Sequence, residues 1–131
     1  MVLIDTPIWS EYLRRKQPDA SVITELADLV KANRAILIGP VRQEVLAGIR
    51  VAPVFACVRL GLRAFVDLQI ETRDYEVAAE CFTTCRSRGI QGSSTDFLLC
   101  AISLRLKAPI FTLDQDFGDY AKHLPITLYR I

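Results

Sequence analysis

Apolar positions follow two spacings along the 131-residue chain: short unbroken runs, and longer stretches in which they return every three or four residues. The runs, rich in β-branched side chains, read as buried strands, and the periodic stretches read as helices with one face turned inward. Val2-Leu3-Ile4-Asp5 is the first predicted strand. A helix over 6–15 follows, with Asp5 or Thr6 to cap it and Pro7 in its first turn, where no N–H is needed. Gln17-Pro18-Asp19 reads as a turn. A helix over 20–33 carries Val22, Ile23, Leu26, Leu29 and Val30 on one face and leads into the strand Ala35-Ile36-Leu37-Ile38. Gly39-Pro40 opens a helix to about Ile49, and another covers 52–66. A third strand is expected at Leu68-Gln69-Ile70-Glu71, then a helix capped by Asp74 and running to about Arg88. Residues 89–93 form the one substantial loop. The stretch 94–107 is apolar nearly all round, as for a helix packed between a sheet and its neighbours. A strand closing at Asp114, a helix over 116–123 and a last strand at Ile126-Thr127-Leu128-Tyr129 complete the pattern. Strands alternating with helices predict one α/β domain over 1–131, with a mainly parallel central sheet flanked by helices.

That alternation has a chemical consequence. In a parallel sheet each helix runs back against the strands, so helix N-termini and strand C-termini share one edge. Asp5 and Asp114 close strands, while Glu44 and Asp96 are expected in the first turns of helices, so four carboxylates converge. Each has a structural alternative. Asp5 can cap the first helix, and Ser93-Ser94-Thr95-Asp96 has the form of a capping box. Glu44 borders the stripe Val41, Val45, Gly48 and Ile49, so it needs a partner. Converging carboxylates repel unless a cation sits among them. Oxygen donors without histidine or thiolate favour Mg²⁺ or Mn²⁺ over zinc, and such ions suit phosphodiester hydrolysis by a metal-activated water.

Composition narrows the choices. A hydrophobic content of 51% is on the rich side for a domain of this size and points to helices buried on several faces or to an apolar surface kept for a partner. Arg59 and Arg63 interrupt the longest candidate membrane segment, and the Met1-Val2-Leu3-Ile4-Asp5 start has no signal-peptide form, so a cytoplasmic protein without membrane contact is expected. Cys57, Cys81, Cys85 and Cys100 lie within predicted helices without metal-ligand spacing and read as buried, reduced thiols. His123 is the single histidine and sits at a helix end, which leaves little support for histidine-based mechanisms. Setting four acids aside from a formal charge of +1 leaves a clearly basic remainder, heavy in arginine, whose planar forks match phosphate. Arg86 and Arg88, just before the 89–93 loop that leads to Asp96, are the first candidates to grip a polyanionic substrate, with Arg14, Arg15 and Arg42 behind them.

Four blocks then stand in order: Asp5-Thr6-Pro7-Ile8-Trp9, Arg42-Gln43-Glu44-Val45-Leu46-Ala47-Gly48, Thr95-Asp96-Phe97-Leu98-Leu99-Cys100-Ala101 and Thr112-Leu113-Asp114-Gln115-Asp116-Phe117. Together they resemble the acidic blocks of PIN-domain nucleases, and in order, spacing and length they are most similar to the VapC toxins of toxin–antitoxin pairs. The resemblance implies that Asp5, Glu44, Asp96 and Asp114 bind Mg²⁺ or Mn²⁺, with Asp116 an auxiliary acid and Thr6 and Thr112 positioning carboxylates or waters. RNA as the substrate rests on this resemblance, as does a small VapB-type antitoxin partner. Pro7 departs from the serine or asparagine common in such proteins, and Cys100 from a usual alanine.

The crowded segment Ile8, Trp9, Tyr12 and Leu13 beside Arg14, Arg15 and Lys16 is the expected antitoxin contact, with burial in the core as the alternative. A homodimer is expected through the helices around 52–66 and 74–88. A receiver domain would need an aspartate after its central strand, where Gly39-Pro40 stands, and a two-aspartate phosphatase would open with its motif rather than nearly end on it. The rival of a different class is a catalytically silent PIN-like protein acting only through partner association.

Overall fold

The computed structural model describes residues 1–13 and 19–131. The expected extension of the first helix to Arg14 and Arg15, the neighbouring Lys16 and the Gln17-Pro18 half of the turn lie outside the described residues. The elements run β1 (Val2–Ile4), α1 (Thr6–Leu13), α2 (Ala20–Lys31), β2 (Ala35–Ile36), α3 (Gly39–Ala47), α4 (Ala52–Leu62), α5 (Thr72–Ser87), α6 (Ser94–Leu106), β3 (Ile110–Phe111) and α7 (Asp116–Ala121).

The strands form a parallel sheet in the order β2-β1-β3. Leu3 lies opposite Ile36 on one side and Ile110 on the other, and Ile4 opposite Phe111. Val2, Leu3 and Ile4 are wholly buried, which is why β1 is an uninterrupted apolar run rather than an alternating one. In place of the predicted strands 68–71 and 126–129 stand single parallel bridges, Leu37 with Asp67 just before the first and Ile110 with Leu128 within the second. For the first of these the backbone is claimed elsewhere. The Arg105 guanidinium donates to the Gln69 carbonyl, and the Glu71 N–H donates to the Asp74 carboxylate. Those groups take the bonds that a longer ladder would use.

Helix ends follow local chemistry. Asp19 caps α2 by accepting from the Ser21 and Val22 N–H groups. At its other end Asn33 turns left-handed at φ 56°, the Asn33 N–H returns to Val30 and the Arg34 N–H to Leu29. Gly89 does the same for α5 at φ 75°, with Ile90 N–H donating to the Cys85 carbonyl, and so turns the chain toward α6. Glu71, not Asp74, caps α5. Asp74 stands one turn in and completes a reciprocal capping box. It is also buried, and the Arg105 Nε and Nη2 of α6 reach it at 2.8 and 2.9 Å, clamping α5 to α6. Helix α4 stops at Leu62 rather than near 66, because Arg42 of α3 donates to the carbonyls of Leu62 and Phe65 and pairs with Asp67 at 2.9 Å. Arg42 therefore serves the joint between α3 and α4 and is not free to grip a substrate.

Candidate active site

Four segments far apart in sequence deliver carboxylates to one pocket of about 320 Å³, lined by Asp5, Thr6, Pro7, Glu44, Asp96, Leu113 and Asp114. Asp5 follows β1 directly and Asp114 lies just beyond β3. Asp96 is in the first turn of α6, whereas Glu44 sits in the second turn of α3, not the first as the sequence predicts. The helical wheel still brings it to the same edge. A larger groove of about 490 Å³ between α5 and α6 carries no carboxylate, histidine or cysteine and has no means to hold the chemistry.

Asp5 is buried, and both its oxygens are engaged: the Thr6 N–H donates to one at 2.8 Å and the Thr112 hydroxyl to the other at 2.7 Å. The Thr6 hydroxyl then donates to Glu44 at 2.9 Å, which supplies the partner that glutamate requires and couples it to Asp5 through one residue. Thr112 in turn accepts from the Asp114 N–H at 2.9 Å, and Asp114 accepts from the Asp116 N–H at 2.9 Å. Asp116 itself is exposed and does not line the pocket.

Electrostatics agree with the crowding. Burial pushes the Asp5 carboxyl up, the bonds from Thr112 and Thr6 offset part of that, and Asp96 and Glu44 raise it further, to about 6 from an ordinary 3.8. Asp96 is raised for the same leading reason, burial, against bonds from Tyr120 and Ser93 and with added repulsion from Asp114. A site that holds protons against its own charge is one that a cation would relieve. The donors are all oxygen, with no histidine or thiolate among the lining residues, which suits a hard divalent ion such as Mg²⁺ or Mn²⁺. Among the described residues no three acidic, histidine or cysteine side chains already stand close enough to hold one ion. To hold one ion the carboxylates would have to draw in.

Sequence reasoning missed two residues. The fully buried Tyr120 of α7 donates its hydroxyl to Asp96 at 2.7 Å, and burial together with that bond pushes the phenol well above its usual range. A Cβ at Gly92 would come within 2.3 Å of that hydroxyl, so only glycine lets Tyr120 reach Asp96. The available signal was a tyrosine on the apolar side of α7, whose polar tip has to end on a partner.

The remaining candidate residues lie in different settings. Ile8 and Trp9 are wholly buried in the core, with Trp9 edge-on to Phe65 at 4.9 Å, so neither faces a partner; Tyr12 and Leu13 are half-buried. Arg86 and Arg88 are exposed but do not line the acidic pocket, and Arg86 lies over the Phe82 ring. Cys81, Cys85 and Cys100 are buried and burial raises all three thiols, Cys81 to about 11, whereas Cys57 is exposed. His123 is exposed just past α7. No helix among the described residues is long and apolar enough to cross a membrane.

Comparison with known proteins places this geometry. The family model described as PIN domain matches residues 2–123. Ribonuclease VapC11 of Mycobacterium tuberculosis and a VapC ribonuclease of Mycobacterium bovis are each 27% identical over 124 residues, covering 93% of this chain and 92% of theirs. Among solved structures, FitAcB from Neisseria gonorrhoeae superimposes with a TM-score of 0.78 at 20% identity, covering 99% of this chain and 97% of that one. VapBC2 from Rickettsia felis, bound to a DNA fragment from their promoter, gives 0.79 at 15% identity, with 98% of each chain covered. At such identities these two structures share the fold.

Proposed function

Because the chain belongs to the PIN domain family, we propose that it is a Mg²⁺- or Mn²⁺-dependent endoribonuclease and the toxin of a VapBC-type toxin–antitoxin pair. The observation that carries this reading is the meeting of Asp5, Glu44, Asp96 and Asp114 in one pocket, on a chain whose relatives are named ribonucleases. Those four carboxylates would hold the ion. A bound divalent ion supplies positive charge against phosphate oxygens and acidifies water, which is the chemistry of phosphodiester hydrolysis.

The chain's own residues set up the rest. Thr6 and Thr112 fix both oxygens of Asp5, so that carboxylate presents one orientation to the pocket. The Thr6 hydroxyl carries Glu44 with it. Tyr120 donates to one oxygen of Asp96 at 2.7 Å and so limits how that carboxylate can turn. Asp116 lies two residues beyond Asp114, its N–H donating to that carboxylate, and outside the pocket lining it would act as an auxiliary acid.

An antitoxin of the VapB type is the protein partner, and with Ile8 and Trp9 buried its contact on α1 falls to Tyr12 and Leu13. Two chains pair through α4 and α5, which expose Val54, Leu60, Tyr75 and Phe82. The cytoplasm, where RNA is met, is the place of action.

Cleavage of a fluorogenic single-stranded RNA decides the matter. Activity is expected with Mg²⁺ or Mn²⁺, lost with a chelator, and abolished in Asp5→Asn and Asp96→Asn proteins that keep their circular dichroism. Full cleavage by either variant would sink the site assignment, and an inactive wild type that still binds an antitoxin would favour the silent binding protein.

A further inference from the structure

A second cavity, of about 310 Å³, opens beside the acidic pocket and shares Leu113 and Asp114 with it. Its other walls include Gln115, Tyr129 and Arg130. We propose that this cavity is a subsite for one unpaired nucleotide next to the phosphate being cut, with Arg130 on the neighbouring phosphate and Leu113 and Tyr129 against the base. The proposal rests on the ribonuclease reading and names what part of the substrate sits where.

Three observations carry it. An acidic pocket repels a polyanion, so a substrate chain needs a cation alongside, and Arg130 lines the adjoining cavity, is exposed, and pairs with no carboxylate among the described residues. Three other arginines are otherwise employed or elsewhere. Arg42 and Arg105 are held by Asp67 and Asp74, and Arg86 lines a cavity with Phe82, Ile90, Gln91 and Gly92 that shares no residue with the acidic pocket. Secondly, Leu113 is 47% exposed between two pockets that are otherwise partly polar, an unusual place for a leucine unless something apolar covers it. Thirdly, Tyr129 is held firm, with its ring 5.2 Å from Phe111 and its hydroxyl donating to Glu25. A fixed aromatic beside an exposed leucine forms a platform for a π-face, and the Gln115 amide can meet base edges. Each cavity has room for roughly one nucleotide, which requires the base to leave any duplex stack.

The test uses Mg²⁺-loaded protein and a short fluorogenic single-stranded RNA, with Arg130→Ala and Leu113→Ser compared against wild type. Arg130→Ala should raise KM roughly ten-fold with kcat largely kept, and flatten the log–log salt dependence of binding by about 0.7, the loss of one single-strand phosphate contact. Leu113→Ser should raise KM without changing the salt slope. A duplex of the same sequence should compete poorly. Anisotropy of the same RNA on Asp96→Asn protein, alone and combined with Arg130→Ala, reads binding without turnover. A wild type that fails to cleave would count against the nuclease reading, while the anisotropy pair still decides the subsite. KM, slope and anisotropy all unmoved by Arg130→Ala and Leu113→Ser would overturn the subsite, and equal competition by duplex would overturn the claim of an unpaired nucleotide.

Discussion

Asp5 shows how a candidate functional residue burdens the fold that carries it. Its folded carboxyl titrates near 6 against an ordinary 3.8, so the folded state binds a proton more tightly than the unfolded chain. The sign follows from that difference: stability is greatest below about pH 4 as far as this group is concerned, and falls as pH rises through about 6. The full loss is at most about 3 kcal/mol. In chelator at pH 7.5, Asp5→Asn should therefore raise the urea midpoint, since asparagine keeps an acceptor for the Thr6 N–H and loses the charge. An unchanged or lowered midpoint would mean that the burial and repulsion around Asp5 have been relieved in another way. Trp9 makes the opposite case. It looked like a partner anchor in sequence and is a core residue in the fold, so Trp9→Ala should cost roughly 3–5 kcal/mol of unfolding free energy. A stable variant with weakened antitoxin binding would reverse that conclusion.

At the scale of elements, the joint between α5 and α6 is a buried charge clamp. Arg105 binds the buried Asp74 with two bonds, and Asp74 also caps α5. Burial pushes the Asp74 carboxyl up, but the Arg105 guanidinium and the Glu71 N–H outweigh it and hold it below the usual range. Its contribution is thus present above about pH 4 and is lost as pH falls through the lowered folded value. Arg105→Ala should destabilise by about 2 kcal/mol at pH 7 and by less in acid, measured by denaturant unfolding at several pH values. A deficit that grew on acidification would contradict the clamp.

For the whole molecule, several large apolar side chains stand exposed on the surface. Val54, Leu60, Tyr75 and Phe82 are exposed on α4 and α5, with Leu60 at 70% and Val66 beyond it at 93%. Such side chains spread over two helices fit an interface between copies of this chain. Light scattering at micromolar concentration should give the mass of a dimer, and Leu60→Glu should shift it to monomer without lowering the melting temperature much. A monomeric wild type would remove the dimer.

What the sequence determined by itself was whatever depends on neighbours in the chain. The apolar run of β1, the Pro40 start of α3, the Ser93 cap on α6 and the Asn33 and Gly89 helix stops follow from residues within one turn, and a parallel α/β order then sends Asp5, Glu44, Asp96 and Asp114 to one edge by topology alone. Other features depend on groups dozens of residues away, and only the tertiary structure decided them. Residues 68–71 have strand composition, yet Arg105 and Asp74 take their backbone bonds; Trp9 has the look of a hot spot, yet Phe65 and the core close over it. Tyr120 reaches Asp96 only because Gly92 leaves the space, and Arg42 is spent on α4 while Arg130 stands beside the acidic pocket. Periodicity records which face of an element is buried, but which partner a polar tip finds is set by packing between elements, and no local pattern encodes it.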